Sequence, residues 1–213
     1  MYLPRHFEET DVGVLHQFIR AHPFGALVTA TTAGLDANHI PFVLESEPAP
    51  NGCLRGHIAR ANPLWRECAP ATEALVLFQG ANAFVSPSWY PTKLDTGKVV
   101  PTWNYVVVHA HGPLRFIDDA AWVRAHVETL TNQHEHERAA PWRVTDAPAD
   151  FIDGLVEGLV GLEIPIARLA GKWKVSQNRS DRDREGVING LTTEGTESAA
   201  TMADLVRKAA QRG

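Results

Sequence analysis

Four short segments of this 213-residue chain combine cations, amides and indoles in a way that could hold a ligand. They are Gly56-His57-Ile58-Ala59-Arg60-Ala61-Asn62-Pro63, Ser86-Pro87-Ser88-Trp89-Tyr90, Pro101-Thr102-Trp103-Asn104-Tyr105 and Gly171-Lys172-Trp173-Lys174-Val175-Ser176-Gln177-Asn178. Each adjoins the end of an apolar run, and three of the six tryptophans fall within them. A flat, polar, anionic ligand of the flavin-nucleotide kind suits that inventory. Indoles cover a ring, amides and hydroxyls meet its edges, and cations neutralise its charge.

The first segment has the makings of a phosphate site. A helix N-terminus offers free backbone N–H groups and the positive end of a dipole. Here a strand whose alternation sets Arg55 and His57 opposite Leu54, Gly56 and Ile58 runs into Asn62, a good cap, and Pro63, a good first helical residue. His57, Arg60, Ala61 and Asn62 are therefore the candidates for the anionic end. For the ring the candidates are Ser86, Ser88, Trp89, Tyr90, Thr102, Trp103, Asn104, Trp173, Ser176 and Gln177, with Lys93, Lys172 and Lys174 as counter-charges.

Other groupings carry less chemistry. His134-Glu135-His136-Glu137 looks like a metal tract, but helical residues two apart diverge by about 200 degrees, so its histidines do not share an ion. His109 and His111 share a strand face and could ligate a metal or haem, yet no third ligand stands near them in the sequence. Ser86-Pro87-Ser88 lacks the flanking glycines of a hydrolase nucleophile elbow.

The elements that must position these groups are short and mostly extended. A helix is expected from Thr10 to His22, then strands over 26–32 and 37–45 joined at Ala33-Gly34, a Pro-rich loop from Glu47 to Gly52, and a strand over 53–59. Two strands over 74–79 and 83–86, a loop from Pro87 to Pro101, and a long strand over 103–117 broken near Gly112-Pro113 follow. Asp119 caps a helix to about Glu137, Asp146 and Pro148 open another to Leu159, and 162–175 returns to strand with a bend at Pro165. The last 35 or so residues are helical and polar in character. This order lacks the strand–helix alternation and glycine fingerprint of a dinucleotide fold, so a mainly β, α+β architecture follows: a small antiparallel barrel with peripheral helices.

Bulk properties bound the partners. The net charge of −5 disfavours broad attraction to nucleic acid. Two cysteines, Cys53 and Cys68, make neither a disulfide framework nor a metal motif and suit a reducing cytoplasm. The first residues lack signal-peptide character, and no apolar stretch approaches the roughly 20 residues of a spanning helix. No membrane association is expected.

Taken together, Met1-Tyr2-x-Pro4 with Phe7, Ala37-Asn38-His39-x-Pro41-Phe42, Phe78-Gln79-Gly80, Val100-Pro101-Thr102-Trp103-Asn104-Tyr105, His109-x-x-Gly112 and the remaining three segments above resemble the PaiB-like family of FMN-binding negative transcriptional regulators. The resemblance runs collinearly over residues 1 to about 191. It implies an antiparallel split β-barrel of the pyridoxamine phosphate oxidase type over 1–191, with 192–213 as a helical or partly ordered tail. It also implies FMN as cofactor, a homodimer with flavin near the subunit interface, and regulation of sporulation and degradative-enzyme genes. Some split-barrel relatives bind haem instead, which keeps His57, His109 and His111 in view. The alternatives are an FMN-dependent oxidoreductase of unknown substrate, a haem-binding barrel, and a DNA-binding repressor using Arg179 to Arg184. Interleaved Asp181 and Asp183 and the lack of a helix-turn-helix count against the last.

Overall fold

The computed structural model describes residues 1–31, 34–47, 50–69 and 71–211. In chain order its elements are β1 (Glu8–Glu9), α1 (Val12–Ala21), β2 (Phe24–Thr31), β3 (Gly34–Pro41), β4 (Val43–Glu45), β5 (Cys53–Ala59), α2 (Leu64–Glu67), β6 (Glu73–Val85), α3 (Thr92–Thr96), β7 (Thr102–Pro113), β8 (Arg115–Ile117), α4 (Ala120–Glu135), α5 (Ala149–Glu157), β9 (Leu159–Pro165), β10 (Arg168–Lys174), α6 (Asp181–Glu194) and α7 (Glu197–Ala210). They fall into two compact units. The first comprises residues 1–11, 79–108 and 170–213, and the second 12–78 and 109–169. Strands β6, β7 and β10 contribute residues to both.

In the second unit, β2 pairs antiparallel with β3 in the register Phe24↔Pro41 to Thr31↔Gly34, and with the first half of β6 through Leu27↔Val76. The hairpin expected at Ala33-Gly34 is present as this pairing, while Ala33 itself lies outside the described residues, as do Pro48 and Ala49 of the expected Pro-rich loop. A four-stranded antiparallel sheet of order β4-β5-β9-β8 completes the unit. Its central pair, β5 and β9, is in register from Cys53↔Pro165 to Ala59↔Leu159. Strand β5 has the expected bounds and alternation, with Leu54, Gly56 and Ile58 buried and Arg55 and His57 half-buried. Helices α4 and α5 add Val123, Ile152 and Val156 to a common core with Val144. Asp119 caps α4 as expected, accepting from the Trp122 amide at 2.8 Å. Cys53 is sealed inside this unit, its thiol facing the Leu54 carbonyl.

In the first unit the strand order is β1-β10-β7-β6. Glu8 stands opposite Lys172 and Glu9 opposite Gly171. The expected loop between Pro87 and Pro101 holds a single 3-10 turn at Pro87–Trp89 and the short α3, pinned to α6 where Thr92 donates to the buried Asp183 carboxylate at 2.9 and 3.0 Å. The tail expected to be helical is α6 and α7, the latter burying Ala199, Met202, Ala203 and Val206.

Two expected strand limits are corrected. The run 37–45 is two strands, because Pro41 has no amide to continue the ladder and the Phe42 amide turns to the Pro23 carbonyl at 2.8 Å. Val43 then pairs with Arg55 in the other sheet. Conversely, 74–79 and 83–86 form the single 13-residue β6. Its buried positions change parity, from Ala74, Val76 and Phe78 to Ala83 and Val85, so the apolar face changes side without a break in the backbone.

Candidate functional site

The first segment is knitted into its own unit. Arg60 donates through Nε to the Glu157 carbonyl at 2.6 Å and through its terminal nitrogen to the Leu159 carbonyl at 3.0 Å and the Asp118 carboxylate at 2.6 Å. Asp118 raises the Arg60 pKa and is itself lowered by the bond. Asn62 accepts from the Leu64 amide at 3.0 Å and donates to Asn38 at 2.7 Å. Ala61 is exposed, and the helix that follows is only four residues long. The expected phosphate site is therefore redrawn. The guanidinium anchors the end of β5 to the turn before β9, and the amide that would greet an anion is already capped.

His57 lies beside a second imidazole. Its ring meets that of His126 edge-on at 5.3 Å, and Trp122 stacks on His126 at 5.4 Å. Trp122 fits because residue 161 is glycine, where a Cβ would come within 2.3 Å of the indole. His57 Nδ1 and His126 Nε2 are sealed from solvent without a hydrogen-bond partner. Burial holds His126 down to about 4, helped by His57 and Arg55, and burial also lowers His57. His109 is likewise held to about 4 by burial and by His111 and Arg168. Both pairs are thus neutral at pH 7.

In the first unit the candidates separate by face. Strand alternation puts Trp173 with Val175 and Gln177 in the wall of a cavity of about 330 Å³, bordered by Glu8, Glu9 and α7. Lys172 and Lys174 project from the other side. Lys174 donates to Thr102 Oγ1 at 2.5 Å and the Trp103 carbonyl at 2.7 Å. Lys172, 6% exposed, donates to the Tyr2 carbonyl at 3.0 Å with the rings of Tyr105 at 5.3 Å and Tyr2 at 5.7 Å. Burial lowers the Lys174 pKa, and the charges of Lys172 and Arg179 lower it further. Among the described residues none of these three cations has an acidic side chain within ion-pair distance.

The loop after β10 is held rigidly. Ser176, buried and at φ 63°, is a non-glycine residue in the left-handed region. Asn104, buried on β7, donates to its hydroxyl at 2.9 Å. Gln177 clasps its own loop, accepting from the Val175 amide at 2.8 Å and donating to the Trp173 carbonyl. Gln177 is thus a brace for that loop.

The remaining candidates divide between packing and surface. Trp89 is a packing residue, seated on α6 where a Cβ at Gly190 would fall 2.2 Å from its ring and one at Gly186 1.9 Å from its carbonyl. Tyr90 is buried with the Arg179 guanidinium 4.8 Å over its ring. Ser86 Oγ accepts from the Ser88 amide at 3.2 Å, and Lys93 reaches Ser88 Oγ at 3.4 Å. Trp103 keeps half its surface exposed, held by Asn82 Oδ1 at 3.1 Å and flanked edge-on by Phe84 at 6.0 Å. Arg179, Tyr105 and Tyr2 were not among the candidates. Their signal was position: Arg179 is five residues beyond Lys174, and Tyr105 adjoins Asn104.

One side of the first unit thus gathers Thr102, Asn104, Lys172, Lys174, Ser176 and Arg179, a donor set suited to an anionic compound. With antiparallel sheets and peripheral helices, this defines a flavin-binding split-barrel protein. Residues 1–168 match the family described as "Putative FMN-binding domain", and the chain belongs to that family. An uncharacterized protein of Emericella nidulans is 36% identical over 98% of this chain and 97% of its own length. The Bacillus subtilis protein named protease synthase and sporulation protein PAI 2 is 29% identical over 97% of this chain and 96% of its own. Among solved structures, the fold is shared with the FAD and haem binding protein from Mycobacterium smegmatis (TM-score 0.58, 15% identity, 78% of this chain and 73% of that one). It is shared too with the flavocytochrome Anf3 from Azotobacter vinelandii (TM-score 0.57, 14% identity, 81% and 72%).

Proposed function

We propose that this chain is a cytoplasmic, homodimeric FMN protein that acts as a flavin-linked transcriptional or metabolic regulator. The observation that carries the reading is the face of unneutralised cations: Lys172, Lys174 and Arg179 have no acidic partner within ion-pair distance among the described residues. A phosphate needs such surplus charge, and in this reading Lys174 and Arg179 supply it. Asn104 and Ser176 keep the supporting loop in one conformation. The cavity walled by Trp173 is bordered by Glu8 and Glu9 as well as by His6 and Lys208, so it offers an anion no comparable surplus of positive charge. When bound, FMN supplies one- and two-electron chemistry, and the protein sets its binding and its access to solvent.

The regulatory part of the reading draws support from the relationship to the sporulation-named Bacillus protein. The charge of −5 favours an indirect route to gene expression over direct contact with DNA. Haem, named for the Mycobacterium smegmatis neighbour, is the second cofactor reading. FMN is preferred because His57, the imidazole in the family segment, is packed against His126 in an edge-type pairing at 5.3 Å.

The deciding experiment is the visible spectrum of FMN-loaded protein after desalting, with Lys174→Ala alongside. Retained flavin bands that weaken in the variant are expected, the loss corresponding to about 1.5 to 3 kcal/mol for a charge-assisted hydrogen bond. A colourless wild-type protein overturns the reading. Steady turnover of NADH or NADPH by the loaded protein would replace regulator with oxidoreductase, and a gel shift with promoter DNA would restore direct repression.

A further inference from the structure

Lys172 is an anomaly among the cations of the first unit. The residue is 6% exposed, and its ammonium, with three donors, makes one hydrogen bond among the described residues, to the Tyr2 carbonyl. The ring centroids of Tyr105 and Tyr2 stand 5.3 and 5.7 Å from it. Glu8, its cross-strand partner, does not come within ion-pair distance. A buried charge held by a neutral carbonyl and ring faces gives up much of its hydration for weak compensation. The covering segment is itself largely exposed by contrast: Tyr2 is 84% exposed and Met1 44%.

We propose that residues 1–3 form a displaceable strap whose Tyr2 carbonyl occupies the place of a ligand oxyanion, and that an anionic ligand binds by evicting it from Lys172. The proposal rests on the flavin reading and deepens it by naming Lys172 as the residue that distinguishes a phosphorylated from an unphosphorylated flavin. The exchange balances simply. One neutral acceptor leaves, one anionic acceptor arrives, and no proton or electron moves. The gain comes from replacing a dipole by a full negative charge in front of a cluster that also contains Lys174 and Arg179; burial first, and then the charges of Lys172 and Arg179, lower the Lys174 pKa. Tyr105, on β7, stays as the fixed wall of the site, and Tyr2 is its removable one.

The test compares the full chain with a form lacking residues 1–3, and with Tyr2→Gly, which keeps the carbonyl and removes the ring. Lys172 acylation by acetic anhydride, read by mass spectrometry, reports its exposure without any flavin. FMN and riboflavin affinities are read by fluorescence quenching. Expected are severalfold faster Lys172 acylation without the strap, severalfold tighter FMN and unchanged riboflavin, with a smaller shift in the same direction for Tyr2→Gly. Unchanged acylation in both variants, or FMN and riboflavin tightening equally, overturns the strap. If neither flavin binds any form, the flavin reading has failed on its own. The strap is then judged by inorganic phosphate: stronger protection of Lys172 in the shortened form than in the full chain upholds it, and equal protection refutes it.

Discussion

Arginine 60 shows how a residue of the right type at the right spacing can be claimed by a partner far along the chain. Its position at a strand-to-helix turn suggested phosphate, but Asp118 and the carbonyls of Glu157 and Leu159 take up its donors. Arg60→Ala is expected to lower the melting temperature and leave FMN affinity unchanged, as measured by thermal unfolding and flavin titration. The buried imidazoles give a pH signature. The folded pKa of His126, about 4, lies below the ordinary histidine value near 6.5, so the unfolded chain takes up protons first as pH falls. Stability is therefore full above about pH 6.5 and declines between there and about pH 4, with His57 adding in the same direction. Urea unfolding at pH 7, 5.5 and 4.5 should show falling midpoints, and His126→Phe should flatten the decline. Lys174 gives the opposite edge. Its charged form is the one an anion needs, and its pKa is lowered, so FMN affinity should begin to fall at a pH below the usual lysine range.

At the scale of elements, legibility followed local pattern and failed where partners decide. Strand β5 was readable to the residue because alternation of Leu54, Gly56 and Ile58 with Arg55 and His57 is a local property. Strand β6 read as two because its apolar face changes parity, and β3 and β4 read as one because nothing near Phe42 reveals that its amide will turn to Pro23. The site divides likewise. Lys174, Thr102, Asn104 and Ser176 were all legible as polar groups near strand ends, and the structure joins them in two pairs, Lys174 with Thr102 and Asn104 with Ser176. Trp89 was legible only as an indole, since its seat depends on Gly186 and Gly190 a hundred residues on in the chain. Gly190→Ala should cost about 1 to 3 kcal/mol by overpacking against that ring, read in the denaturant midpoint.

For the whole molecule, the proposed homodimer has a candidate surface in Phe84 and Trp103, both about half-exposed on β6 and β7. Sedimentation should give twice the 23.4 kDa chain mass, and Trp103→Glu should return a monomer. No helix among the described residues is long and apolar enough to cross a membrane. Much of the chain's chemistry was apparent from composition, yet its division between two faces of β10 was not, because alternation assigns sides without saying what each side meets. One consequence concerns durability in the presence of oxygen. A reduced flavin reacting with oxygen releases peroxide, and thiolates are the side chains peroxide attacks first. Cys53 is only 4% exposed, and burial raises its thiol pKa, so little thiolate exists at neutral pH for an oxidant to find. The strand that carries the family's first segment is thereby insulated from a by-product of the very cofactor the protein holds.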